Sequence, residues 1–141
     1  MNQDTIMQTS AELSSRPKVM SWVAAGLTGL VVLFLAFDGI TKVVRVTPVM
    51  EACQKMGIGP DMAVGIGILL LACTALYVTP KTAILGAILL TGYLGGAIAT
   101  HVRVGSPLFS HILFPVYLAV LLWGGLYLRD ERLRALIPLR R

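Results

Sequence analysis

Charged residues are scarce in this 141-residue chain: 13% of its residues are Asp, Glu, Lys or Arg, whereas 56% are hydrophobic. Soluble domains carry about a quarter charged residues, so this composition, with a mean hydropathy of +0.79, excludes an ordinary soluble domain. The charges are also unbalanced, with 12 basic and 7 acidic residues. In a soluble protein that excess would suggest nucleic acid as a partner, but here the basic residues flank apolar segments and set orientation. We therefore expect a lipid bilayer and no nucleic acid as partners.

Cysteine is also scarce, with two residues. Cys53 lies in the first connection and Cys73 inside an apolar segment, so a disulfide between them is not expected, and neither spacing suits a metal. The chain carries no autonomous catalytic or redox motif, such as a cysteine pair, and we predict no metal site and no intrinsic cofactor. No small-residue cleavage site follows the first apolar run, and we expect that run to be retained rather than removed as a signal peptide.

Long apolar runs are what the sequence has in abundance. A membrane span needs roughly 20 mostly apolar residues, and four such runs fit: about Val19 to Phe37, Met62 to Val78, Lys81 to Thr100 and Leu108 to Leu128. Short connections make neighbouring spans antiparallel. The sequence predicts an all-α fold, a transmembrane four-helix antiparallel bundle over residues 19–138, preceded by a disordered cytoplasmic tail over residues 1–18.

The connection between the first two spans is amphipathic. From Pro48 to Met56 the apolar residues fall on one side, which predicts a short interfacial helix. Three hydroxyl-proline pairs resemble N-caps followed by proline and predict helix starts; they are Thr47-Pro48, Thr79-Pro80 and Ser106-Pro107.

Small residues and a proline make two further predictions about packing. Gly92 and Gly96 on the third span, and a second stripe of small residues four apart, predict close packing against neighbouring helices. The second stripe is Ala83, Ala87, Thr91, Gly95 and Ala99. Pro115 predicts a bend in the fourth span that frees the carbonyl of His111, because proline lacks the N–H that would bond to it.

Basic residues distinguish the two sides of the membrane. Eight lie on the side of the termini and four on the other, and the positive-inside rule then places both termini in the cytoplasm. We expect a multi-pass protein of the cell membrane, the inner membrane where there are two. The eight are Arg16, Lys18, Lys81, Arg129, Arg132, Arg134, Arg140 and Arg141, and the four are Lys42, Arg45, Lys55 and Arg103.

Ionisable residues converge at the outer ends of the helices. Helical rise places Asp38, His101 and His111 at one level near the outer boundary of the bilayer, on three different spans. The candidate ligand-binding residues are therefore His101, His111, Arg103, Asp38, Lys42 and Tyr93, the last about 12 Å below His101. Each also has a purely structural interpretation: Asp38 and Lys42 form a helical i, i+4 pair, and polar residues collect at helix ends.

Several blocks of this sequence resemble the DoxX-like family of small four-helix membrane proteins. They are FDGITKV, GYLGGAIATHVRVG and LRDERLRALIP, within a match of about Val23 to Pro138. The resemblance places Gly39 and Lys42 in the helix-one motif of the family, and Gly96, His101, Arg103 and Gly105 in its helix-three motif. It implies association with redox complexes, because the family takes its name from a membrane component of a thiosulfate:quinone oxidoreductase.

Two functions remain open from the sequence. The first is a site for a quinone- or lipid-like ligand, whose polar head would bond to the imidazole, guanidinium and tyrosine donors. The second is a non-catalytic subunit or assembly factor that packs on a membrane redox-complex partner or on a second copy of the chain. A haem between His101 and His111 has no support beyond those two histidines. A transporter is disfavoured because no charged residue occupies the middle of a span.

Overall fold

The computed structural model describes residues 18–137, and this part of the chain is helical with no β-strand. Its helices are α1 (Lys18–Val43), α2 (Thr47–Lys55), α3 (Pro60–Val78), α4 (Ala83–Arg103), a π-helical segment (Leu108–Ile112), α5 (Phe114–Arg129) and α6 (Glu131–Leu136). Within residues 18–137, four helical stretches are long and apolar enough to cross a membrane. This confirms the predicted four-span bundle with a short helix between the first two spans. The predicted disordered tail lies outside the described residues, except for Lys18, which begins α1.

The four long helices form a ring. Helix α1 packs against α3 and α5, and α4 packs against the same two helices, so α1 and α4 face each other across the bundle. Helices α1 and α4 both terminate on the side of the bundle where α2 lies, and we call that side the α2 end. The opposite side is the α6 end. Large buried side chains from all four helices fill the centre; they include Val31, Leu35, Leu70, Tyr77, Leu90, Leu122 and Leu126.

Tyr77 joins α3 to α5 at the α6 end. Its hydroxyl donates to the carbonyl of Leu122 at 2.8 Å, and its side chain is fully buried. The guanidinium of Arg129 donates to the carbonyl of Tyr77 at 2.7 Å and lies 4.7 Å from the centre of its ring. Hydrogen bonds satisfy polar groups that would be costly to bury in an apolar bundle, so these contacts hold α3 and α5 together at this end.

Three helices are each followed, at the α2 end, by a residue with a left-handed backbone conformation. Arg45, Gly57 and Gly105 have φ angles of 58°, 76° and 67° and follow α1, α2 and α4. The amide after each one donates to a carbonyl five residues back, for example Ser106 to His101 at 3.0 Å. This is the Schellman arrangement, which satisfies the last carbonyls of a helix and turns the chain sharply. It lets α2 fold back over the open end of the ring.

Close helix packing uses glycines other than those predicted. A Cβ built on Gly39, Gly67, Gly86 or Gly125 would come within 3.0 Å of another helix, whereas nothing lies within 4 Å of one built on Gly92 or Gly96. The predicted packing role of Gly92 and Gly96 is therefore wrong within this chain. The physical reason is rotation: both glycines are exposed, and of the second stripe only Ala83 and Ala87 turn inward and are buried, whereas Thr91, Gly95 and Ala99 are exposed.

Two of the three hydroxyl-proline pairs lie at helix starts as predicted, at Thr47 for α2 and just before Leu108 for the π-helical segment, but no side chain caps either start. Thr47 is the first residue of α2 rather than its cap, and Thr79 ends α3, where its hydroxyl donates back to the carbonyl of Ala75. Pro115 lies in the first turn of α5, directly after the π-helical segment. The fourth span is therefore interrupted before Pro115, whereas the sequence predicted one α-helix bent at this proline.

Candidate functional site

Asp38, Lys42 and Tyr93 form a polar cluster between the facing helices α1 and α4. Lys42 Nζ donates to Asp38 Oδ1 in an ion pair, which confirms the predicted i, i+4 contact. The Tyr93 hydroxyl donates to the other carboxylate oxygen, Oδ2, at 3.3 Å. Only 13% of the Lys42 side chain and 30% of the Asp38 side chain are exposed. A charged pair so shielded is costly unless its members satisfy each other, and Tyr93 adds the bond that links the two helices.

Two glycines position this cluster. A Cβ built on Gly67 of α3 would lie 2.8 Å from both the carbonyl oxygen of Gly39 and the Cβ of Lys42. The backbones of α1 and α3 are therefore in contact directly beside the ion pair. This contact orients the face of α1 that carries Asp38 and Lys42 toward α4 rather than toward lipid.

A cavity of about 510 Å³ lies beside the cluster at the α2 end. Residues of α2 cover it, and all four long helices contribute to its wall. Its polar lining comes from Asp38, Lys42, Tyr93, Thr100 and His101, and much of its apolar lining comes from Phe34, Leu35, Cys53, Leu69, Leu94, Phe114 and Leu118. A mostly apolar cavity of this size with a few convergent polar groups is typical of a small-molecule site.

The two histidines lie together, but only His101 lines this cavity. Their ring centroids are 5.5 Å apart in an edge contact. Nδ1 of His101 lies 3.0 Å from the hydroxyl of Ser106, and Nδ1 of His111 lies 2.7 Å from the hydroxyl of Ser110. These serines orient both rings and leave Nε2 of His101 as the nitrogen that can serve a cavity ligand.

Arg103 is tied to the chain that follows α2. Its guanidinium donates to the carbonyl of Met56 at 2.7 Å, and it is not among the residues that line the cavity. Met56 does line the cavity. Arg103 therefore fastens the end of α4 to the covering segment, a position that the sequence did not indicate.

Helix α2 is held over the cavity by a small apolar cluster, made of Met50 and Cys53 of α2 and Ala63 of α3. The Cys53 thiol lines the cavity. Burial raises the pKa of this thiol, and the nearby Lys42 ammonium opposes the rise less strongly than burial favours it. The thiol therefore stays neutral near pH 7 and contributes an uncharged wall.

The structure brings four of the six predicted residues to one cavity: Asp38, Lys42, Tyr93 and His101. Sequence reasoning missed the aromatic and α2 residues that complete the wall, because apolar side chains on a span give no signal that separates cavity from lipid. One signal was present: Phe34 and Asp38 are four residues apart and so share a face of α1. Across residues 18–137, no group of three or more His, Cys, Asp or Glu could hold a metal ion.

Comparison with known families agrees with this architecture. The model of the DoxX-like family matches residues 26–125, which contain all four long helices at least in part. This match covers more than half of the chain, so the protein belongs to the DoxX-like family. No curated protein and no solved structure matches the chain significantly.

Proposed function

We propose that this DoxX-like membrane protein binds a quinone-like small molecule in the cavity between α1 and α4. The observation that carries the proposal is one cavity of about 510 Å³ with an apolar wall and a polar cluster from two facing helices. A quinone has the matching form, with carbonyl acceptors on a flat ring and an apolar tail. A quinone held there would serve a partner redox complex, as the family resemblance suggests.

Hydrogen-bond donors of the right kind support this ligand. An ammonium carries three donors, and Lys42 uses one on Asp38. Nε2 of His101 can donate to a second carbonyl, with Ser106 orienting the ring. Tyr93 gives its proton to Asp38, so its oxygen can accept a hydrogen bond from a reduced, hydroxyl-bearing ring. The cavity can thus serve both the oxidised and the reduced form.

Removal of the His101 ring tests the proposal. We expect His101→Ala to weaken binding of a short-chain benzoquinone roughly tenfold to a hundredfold, because a lost hydrogen bond to a buried or charged group is worth about 1.5–3 kcal/mol. The measurement is equilibrium binding of radiolabelled quinone to the full-length protein in nanodiscs.

His111→Ala is the matched control, since His111 touches the His101 ring but does not line the cavity. We expect a smaller loss of affinity in this variant. Equal affinity in the unaltered protein and both variants would contradict the cavity as the quinone site. The alternative role, a non-catalytic subunit or assembly factor of a larger membrane complex, would then lead.

The orientation of the bundle completes the proposal. We propose that both termini are cytoplasmic, so that the cavity lies near the outer side of the membrane, because basic residues outnumber those of the other side eight to four. In a chain whose Cys53 and Cys73 are replaced by alanine, Val104→Cys should react with an impermeant maleimide added outside spheroplasts. Thr79→Cys, at the α6 end, is the control and should react only after lysis. The reverse pattern would contradict the orientation.

A further inference from the structure

Phe34 and Phe114 form the part of the cavity wall that lies between α1 and α5. Both residues line the cavity, and both are partly exposed, by 39% and 38%. Their ring centroids are 5.1 Å apart with the planes at 67°, an edge contact between α1 and α5. Two side chains from neighbouring helices, rather than a helix backbone, therefore meet at this part of the wall. Rotation of these rings would connect the cavity to the hydrocarbon of the bilayer.

The aromatic pair lies directly below the polar cluster. Phe34 precedes Asp38 by four residues, so it occupies the same face of α1 about 6 Å deeper along the helix. A head bonded at Asp38, Lys42 and Tyr93 would therefore place the first atoms of its tail against Phe34.

Phe114 sits where the fourth span is least regular. It begins α5 immediately after the π-helical segment, and its neighbour Pro115 also lines the cavity. Proline has no N–H to bond back to the preceding turn. The regular α-helical hydrogen-bond pattern of the fourth span is therefore interrupted next to Phe114.

We propose that the ligand is a long-tailed amphiphile whose apolar tail leaves the cavity between Phe34 and Phe114 and continues into the bilayer. This inference rests on the proposed function and specifies the class of ligand. A cavity of about 510 Å³ holds a drug-sized molecule, which is enough for a ring and the start of a tail. A polyisoprenoid tail long enough to cross much of a leaflet needs an outlet.

Leu69 marks the competing outlet. It also lines the cavity and is 57% exposed, on α3. We favour the aromatic pair as the outlet for two reasons. Its two rings come from different helices, α1 and α5, and Phe34 lies on the face of α1 that carries Asp38. Leu69 supplies the matched comparison.

Reversible blocking of the outlet tests the inference. In a full-length chain whose Cys53 and Cys73 are alanine, we would introduce Phe34→Cys, Phe114→Cys or Leu69→Cys singly. A methanethiosulfonate reagent would then transfer a bulky alkylthio group to the new cysteine, which forms a mixed disulfide and releases methanesulfinate. Binding is then measured in nanodiscs for two benzoquinones with the same ring, one with a single isoprenoid unit and one with ten.

We expect modification at position 34 or 114 to weaken binding of the long-tailed quinone at least tenfold while the short-tailed one binds as before. Reductant should restore binding, and modification at position 69 should leave both quinones unaffected.

Other results overturn the outlet. They are a loss confined to position 69, an equal loss of both quinones after modification at 34 or 114, or no change in the long-tailed quinone. If the unaltered protein bound neither quinone, the proposed function itself would fail, which separates the two conclusions.

Discussion

Lys42→Met should destabilise the protein by about 3 kcal/mol. Removal of one partner of a buried ion pair leaves the other charge uncompensated and typically costs 3–5 kcal/mol, and we take the lower end because 30% of the Asp38 side chain is exposed. Aspartate has a short side chain and cannot carry its charge to the lipid headgroups, as a long lysine side chain can. The measurement is the free energy of unfolding in mixed micelles, from a denaturing-detergent titration followed by circular dichroism.

Arg45 provides the control at the same end of the bundle. Its guanidinium donates to Asp61 at 2.7 Å, but the two side chains are 55% and 95% exposed. Exposed ion pairs contribute about 0–1 kcal/mol, so Arg45→Gln should change the free energy of unfolding far less than Lys42→Met. Equal losses in the two variants would mean that the Asp38–Lys42 pair is not shielded as the structure shows.

A double variant separates the ion pair from the packing of the lysine stem. Asp38→Asn combined with Lys42→Met removes both charges, so it should recover part of the stability that Lys42→Met loses. Tyr93 keeps a hydrogen-bond acceptor in the asparagine side chain. If the double variant were instead less stable by the sum of the two single losses, the two side chains would act independently.

The helices of this protein could be predicted from its sequence because their signals are local. A run of apolar residues marks a span whatever its neighbours are, and the four-residue separation of Asp38 and Lys42 implies their contact on one helix. The amphipathic pattern likewise predicted α2 to within a residue, at Thr47–Lys55. Four of the six predicted polar residues lie at one cavity for the same reason, since helical rise alone sets the depth of each residue in the membrane.

The faces through which the helices meet could not be predicted in this way. In lipid, a small residue can serve any neighbouring helix, and the sequence does not say that Gly67 meets α1 while Gly92 is exposed. The partner of Arg103 is a backbone carbonyl 47 residues away, and carbonyls leave no mark in a sequence. The same holds for the cavity wall, since Phe34 and Phe114 differ from lipid-facing phenylalanines only by the rotation of their helices.

Gly86→Ala should be among the most damaging single substitutions in the bundle, with a loss of about 2–3 kcal/mol in the free energy of unfolding. A Cβ at this position would lie 2.3 Å from the backbone nitrogen of Tyr77 and 2.5 Å from its Cα. No rotamer change can relieve a clash with backbone, so α3 and α4 must move apart. That movement would disturb the hydrogen bond from Tyr77 to Leu122 that joins α3 to α5 at the α6 end. The measurement is again the free energy of unfolding in mixed micelles.

Gly92→Ala is the matched control, six residues along the same helix, where nothing lies within 4 Å of the added methyl group. Alanine favours helix over glycine by about 0.8–1.0 kcal/mol, so this variant should keep or slightly raise the stability of the protein. The same substitution on one helix should therefore change stability in opposite directions. If Gly92→Ala destabilised the protein as much as Gly86→Ala, the exposed face of α4 would have to be a packed surface, and the rotation of α4 described above would be wrong.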